Sequence, residues 1–223
     1  MSTVTILVLA KAPVPGAVKT RLAADLGGGS DADLLAAELA AAALLDTLAS
    51  CRATGAGCRI ALAGDLARAV RRDDLRDALR GWTVAGQHGA TFGERLVAAH
   101  AEVPGPVVQV GMDTPHAGPG LLLDLAAGLT ATDAVLAPAA DGGWWALALR
   151  SGRLAAPLAG VPMSRPTTYR DTRRALVAAG LSVGAAPRLT DVDHLQDARA
   201  VATEAPTTAF ARAADALLGS TAR

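Results

Sequence analysis

The sequence predicts an α/β fold built on a mostly parallel sheet with helices on both faces. Three observations carry this prediction. Short β-branched or apolar runs alternate with Ala/Leu-rich stretches of helical spacing, the pattern of repeated strand–helix–strand units. The first run, residues 4–9, is apolar apart from Thr5, as expected of a central strand covered on both faces. The chain of 223 residues is 51% hydrophobic but only 3% aromatic, so it is long enough to bury a core and that core must be aliphatic.

The elements follow in order. The Gly27-Gly28-Gly29-Ser30 run reads as a loop, with Asp31 the candidate cap of the next helix. In that helix Leu34, Leu35, Glu38, Leu39, Ala42, Leu45 and Leu48 recur at helical spacing. Residues 59–63 form a second strand ended by Gly64, and residues 66–79 a charged helix. Residues 82–85 give a third strand, 92–101 a helix, 106–112 a fourth strand and 119–129 another helix. Residues 134–137 and 144–149 are two strands around a Gly-rich turn. A helix over 167–179, a strand over 183–186 and a helix over 195–202 complete the pattern. No repeat, heptad or low-complexity linker interrupts it, which predicts one domain over residues 1–223.

Lys+Arg and Asp+Glu both total 21, which argues against an extended nucleic-acid surface or a polybasic membrane anchor. Cys51 and Cys58 lie too far apart, with no further Cys or His nearby, for a usual metal site, and read as free thiols. The first apolar run is too short for a signal or a membrane span, and charges break the other Ala/Leu stretches. A cytoplasmic protein is expected.

The segment from Thr3 to Leu22 carries the strongest functional signal. In an open α/β sheet, ligands sit beyond the carboxyl ends of the strands, where the loop KAPVPGAVKTRL falls. Pro13 and Pro15 stiffen it, and Gly16 permits close approach of backbone to ligand. Lys11, Lys19 and Arg21 place three cations in one loop, which suits phosphate oxygens better than the competing reading of a solvated charged surface. The loop is neither a Walker A sequence nor GxGxxG, so ATPase and dehydrogenase readings lose their main support.

Acidic positions supply a second half. Asp113, in GMDTP at the end of the fourth strand, suits a Mg²⁺ or Mn²⁺ that bridges phosphates, against the plainer reading of a turn residue before Pro115. Asp191 and Asp193 alternate in an extended stretch and share a direction, while Asp197 reads as a first-turn helix carboxylate. Asp141, Gly142, Gly143 and Trp144 form a tight turn able to approach a substrate, with Trp145 as core filler. Gly93-Glu94-Arg95 reads as a helix start with a simple ion pair; His88 and His116 could act as acids or bases, although a lone histidine is more often structural.

In order and spacing, AKAPVPGAVKTRLA, GERL, GMDTP, APAADGGWW and DVDHLQDA resemble the bacterial family called selenodomain-associated transferase 1, within the glycosyltransferase-A (nucleotide-diphospho-sugar transferase) superfamily. The likeness covers nearly the whole chain. It implies a Rossmann-like three-layer α/β/α sandwich, a nucleotide in the first-loop cleft and a divalent metal on two acidic positions. Carried over by motif, Ala10, Lys11, Gly16, Lys19 and Arg21 would meet the phosphates. Asp113 and Asp193 would hold the metal. Met112, His116 and Trp144 depart from the family pattern on the acceptor side. The basic loop favours nucleotidyl transfer from a nucleoside triphosphate to a small phosphorylated acceptor. Glycosyl transfer from a nucleotide-sugar is the alternative, and a non-catalytic nucleotide-binding protein the alternative of another class.

Overall fold

The computed structural model describes residues 4–219, so Thr3, where the first segment begins, lies outside the described residues. Seven strands form one sheet: β1 (Thr5–Lys11), β2 (Gly57–Ala63), β3 (Thr83–Gly86), β4 (Val107–Val110), β5 (Ala134–Pro138), β6 (Trp144–Leu149) and β7 (Val183–Ala185). Their spatial order is β3-β2-β1-β4-β6-β5-β7. All neighbours pair in parallel except β6, which runs antiparallel to both β4 and β5. The sheet is therefore mostly parallel, as the alternation predicts.

Among the described residues eight α-helices accompany the sheet: α1 (Thr20–Asp25), α2 (Gly29–Ala53), α3 (Arg72–Ala78), α4 (Phe92–Ala101), α5 (Pro119–Gly128), α6 (Thr168–Ala178), α7 (Leu195–Glu204) and α8 (Ala209–Leu218). On one face Ile6, Val8 and Val108 meet Leu44 and Leu48 of α2 and Leu122 of α5. On the other, Leu7, Leu9 and Leu147 meet Leu96 of α4, Leu158 of the 3₁₀ segment Gly152–Gly160 and Leu176 of α6. The period-2 alternation of each strand sorts its side chains between these two cores.

Helix α2 is buried on two sides. Ala37, Ala40 and Leu44 face the sheet, while Ala36, Leu39 and Ala43 face Val201 of α7 and Phe210 of α8. A helix covered on two sides carries a correspondingly broad apolar surface. By length and composition α2 passes for a membrane span, contrary to the expectation that no Ala/Leu stretch does, yet most of its apolar window is packed inside the protein.

Several expectations need correction. The cap of α2 is Gly28, at φ 71°, and Asp31 lies inside the first turn, so the helix begins within the glycine run. The 66–79 stretch is a 3₁₀ turn (Leu66–Arg68) followed by α3. Extended Ala69 and left-handed Arg71 (φ 50°) break it, and the Val70 N–H donates to the Pro13 carbonyl. Helix α1 was hidden inside the basic loop, and α8 lies beyond the last predicted element. The Thr208 hydroxyl caps α8, and Asp46 of α2 accepts from the N–H groups of Ala209 and Phe210. Cys51 and Cys58 are free thiols, as expected.

One buried group makes stability pH-dependent. His100 in α4 is 0% exposed; its Nδ1–H donates to the Leu96 carbonyl at 2.8 Å, while Nε2 has no partner. Burial pushes its pKa from 6.5 down to about 4, against the smaller opposing effect of that hydrogen bond. The folded pKa is depressed, so the unfolded chain binds the extra proton. Stability from the neutral imidazole is complete above the unfolded pKa and is lost as pH falls toward the folded one. We expect about 3 kcal/mol at most from this group. Urea denaturation of the parent and His100→Leu between pH 7 and 4.5 checks it: the parent should lose more stability than the variant.

Candidate active site

The carboxyl ends of β1, β2 and β4 and the amino end of β6 share one edge of the sheet, because β6 runs opposite to its neighbours. The basic loop crosses this edge and turns into α1 at Lys19. Lys19 is the N-cap of α1 in the left-handed conformation, φ 48° and ψ 40°, which a β-carbon disfavours. That turn points its side chain inward. The ammonium Nζ lies 2.5 Å from Asp113 Oδ1 and 3.1 Å from Asp193 Oδ1, with the side chain only 7% exposed. Arg21 reaches the other oxygen of Asp193 at 3.2 Å. Three residues separated by most of the chain thus meet at one point.

Burial works against the charge on Lys19, but Asp113 and Asp193 outweigh it and hold its pKa above 10.5. Burial likewise opposes the charge on Asp193, and Lys19 with Arg21 prevails, keeping this carboxyl below its ordinary value. Asp191 is pushed up to about 7, first by burial and then by the carboxylates of Asp113 and Asp141. The 191–193 segment is pinned by the Val192 N–H, which donates to the Asp113 carbonyl at 2.9 Å. Asp197 accepts from the N–H groups of Asp193 and His194, the helix-start role its position predicts.

These groups line a cleft of about 690 Å³, joined by a smaller pocket of about 220 Å³. Ala10, Lys11, Lys19, Arg21, Asp113 and Asp193 all line the cleft. Gly16 does not: at φ 75° it makes the turn of the loop beside Asp33. Asp141 lines both cavities, and Gly143 and Trp144 line the smaller one. Asp141 accepts from the Gly143 N–H at 2.7 Å. Gly142, at φ 90°, lies against Pro166, whose carbonyl oxygen leaves no room for an added β-carbon. Trp144 donates to the Thr172 hydroxyl, while Trp145 is 2% exposed and donates to the Pro187 carbonyl, as core filler should.

Four contributors escaped the sequence reading. Arg95 and Arg165 add cations to the cleft, Phe92 adds a 42% exposed ring, and Gln87 fixes the loop. The Gln87 amide donates to the carbonyls of Ala10 and Ala61, 3.0 Å each, and so ties the end of β3 across β2 to β1. The expected Glu94–Arg95 ion pair does not form. Glu94 instead closes a capping box with Thr91, and Arg95 stacks over Phe92, 5.8 Å from the ring centre. The signal for that box, Thr91-Phe-Gly-Glu94, was legible. His88 and His116 line neither cavity.

The donor set bears on a metal. Among the described residues no three His, Cys, Asp or Glu side chains stand at ligating spacing. Two carboxylates do converge on one cation, the Lys19 ammonium. Mg²⁺ is commonly held by one or two carboxylates together with substrate phosphates, and this pair fits that arrangement.

The fold is an open α/β sheet that carries a cationic loop and paired carboxylates beyond its strand ends, the place where ligands sit in such sheets. A family model described as "Uncharacterized protein conserved in bacteria (DUF2064)" matches residues 47–165, and the chain belongs to that family. No curated protein matches the sequence. Among solved structures, a "putative nucleotide-diphospho-sugar transferase" from Desulfovibrio desulfuricans G20 is similar over 99% of this chain and 98% of its own, at 27% identity and a TM-score of 0.81. A nucleotidyl transferase from Methanothermobacter thermautotrophicus shares the fold over 95% and 99% of the two chains, at 14% identity and a TM-score of 0.60. A Mycobacterium tuberculosis H37Rv protein solved in complex with manganese shares it over 90% and 98%, at 18% identity and a TM-score of 0.53. The fold is that of the nucleotide-diphospho-sugar transferases and nucleotidyltransferases, as the sequence resemblance implies.

Proposed function

We propose that the chain is a metal-assisted, nucleotide-dependent transferase that moves a nucleotidyl group from a nucleoside triphosphate to a small acceptor. The observation that carries this is the meeting of Lys19, Asp113 and Asp193 at the mouth of a cleft lined by further cations. A triphosphate needs such a set of positive groups, and carboxylates beside them suit a shared divalent ion.

Asp113 and Asp193 would hold Mg²⁺ or Mn²⁺, which when bound adds positive charge against the phosphates. Lys11, Arg21, Arg95 and Arg165 bind and orient the phosphate oxygens. Lys19, already fixed by its two carboxylates, stands ready to neutralise charge that develops on the attacked phosphate. Catalysis of this kind is positioning and electrostatics, and calls for no protein nucleophile. The phosphate of a phosphorylated acceptor would meet Arg165, which lines both cavities.

The likeness to the Desulfovibrio protein, named for transfer from a nucleotide-diphospho-sugar, favours a second reading in which the same cations stabilise a departing nucleoside diphosphate. The resemblance to selenodomain-associated transferase 1 sequences accommodates both. Product analysis separates them. With Mg²⁺ or Mn²⁺ and a panel of acceptors, pyrophosphate release from a nucleoside triphosphate supports nucleotidyl transfer. Release of a nucleoside diphosphate from a sugar nucleotide supports the second reading. Nucleotide binding without either product would overturn both.

A further inference from the structure

The far edge of the sheet carries a groove of a different kind. β7 is the last strand in the sheet order and pairs only with β5 among the described residues. The Ser182 carbonyl accepts from the Ala134 N–H, and alternate residues of a parallel ladder bond to the same neighbour. Gly184 therefore turns its backbone toward β5, while Val183 and Ala185 each present an N–H and a carbonyl to the open side. Neither a charged side chain nor a proline within β7 guards this edge.

Beside the edge lies a groove of about 300 Å³, lined by Leu121 and Leu125 of α5 together with Val135, Trp145 and Pro187. A β-carbon on Gly184 would meet Thr132 and Val135, so Gly184 faces this groove, and Ala186 shares its direction by the strand alternation. Asp124 is the one charged residue of the described lining; it is exposed and forms no ion pair. An added strand would take the open backbone groups of Val183 and Ala185 and lay every second side chain over the groove. A second copy of β7, paired through its own outward residues, would bring only Ser182, Gly184 and Ala186 to that face. These are too small to fill about 300 Å³ of apolar space. The side chain that fills it is large and apolar, and Asp124 calls for a cation beside it.

We propose that β7 and this groove are a docking site for an extended segment of a partner protein. The segment pairs with β7 as a new edge strand, places a large apolar side chain in the groove and sets a Lys or Arg against Asp124. The site does not depend on the transferase reading. Trp145 lines both this groove and the smaller pocket of the candidate active site, and its indole is tied to Pro187 at the groove. A docked segment therefore bears on a wall of that pocket.

Panning the full chain against short random peptides displayed on phage tests this, with the enriched sequences then synthesised and titrated by calorimetry. We expect them to share a large apolar residue with a Lys or Arg close by. Ala185→Pro removes the outward N–H and sets a ring in the path of the incoming strand, while the ladder to β5 keeps its bonds. It should weaken binding roughly tenfold or more. Asp124→Lys, at an exposed position, should fold like the parent and weaken binding roughly threefold or more, with a larger effect at low salt. Neither variant should alter the thermal shift that nucleotides and Mg²⁺ produce, which a general disturbance of the fold would alter. The proposal is overturned if no peptide is enriched, if the enriched peptides bind both variants like the parent, or if they lack the apolar or the basic residue. Two other occupants would also overturn it. One is a second copy, seen as a dimer in sedimentation that Ala185→Pro dissociates; the other is a small apolar molecule, seen if indole saturates the groove and no peptide does.

Discussion

Replacing Lys19 by Met should weaken nucleoside triphosphate binding about 10- to 100-fold, the loss of about 1–3 kcal/mol that goes with a charge-assisted hydrogen bond. It should also destabilise the free protein. Lys19 is 7% exposed and neutralises Asp113 and Asp193 together. Removing one member of a fully buried pair costs about 3–5 kcal/mol. Asp113 and Asp193 reach solvent, at 40% and 35% exposure, so water recovers part of that cost and about 2 kcal/mol is the expected loss. A further result follows from the same charges. Mg²⁺ should stabilise Lys19→Met more than it stabilises the parent, since the carboxylates are left without their ammonium. Urea denaturation with and without Mg²⁺, beside calorimetric titration of triphosphate, measures both effects. Equal triphosphate affinity in variant and parent would remove the loop from the phosphate site.

The second large effect concerns Asp113. Asp113→Asn keeps the shape of the side chain, its backbone bond to Val192 and most of its exposure, so stability should change by about 1 kcal/mol or less. Turnover should fall on the order of 100- to 1,000-fold, the range for losing one group that stabilises transition-state charge. Nucleotide affinity should lose its dependence on Mg²⁺ or Mn²⁺. A calorimetric titration of nucleotide against metal concentration tests this directly: an unchanged metal dependence would take Asp113 out of the site. The two substitutions also separate from each other. The lysine variant should lose affinity even without metal, whereas the aspartate variant should lose only the metal's contribution.

Much of this site was legible in the sequence because its chemistry is written locally. Lys19, Arg21 and Asp113 follow strands and Asp193 precedes a helix, so fold class alone sends each toward the same edge. Helix α4 and strand β6 have the ranges that their patterns predict. What stayed hidden depends on tertiary path. Gln109 sits in an otherwise apolar strand, and only its register with Leu7 and Leu147 shows which face it occupies. Arg165 belongs to an irregular segment whose course is set by the contact of Pro166 with Gly142. The break at Arg71 reflects a bond from Val70 to Pro13, far away in the chain. Helix α8 was a failure of a different sort. Thr208 followed by Phe210, Ala211, Ala214 and Leu218 is a capped helical pattern that could have been recognised.

The reversed strand β6 has a consequence for how such a molecule can diversify. Every parallel strand delivers its loop to the ligand edge and then needs a helix to return. By running backwards, β6 places a short hairpin there instead, made of residues 139–143 and joined directly to β5. The sheet is thereby split into two parts. The β1–β4 side carries the ammonium and the first carboxylate, while the hairpin and the segment that crosses it shape the smaller pocket. Substitutions in the hairpin could therefore reshape the smaller pocket while the β1–β4 side, with Lys19 and Asp113, stays as it is.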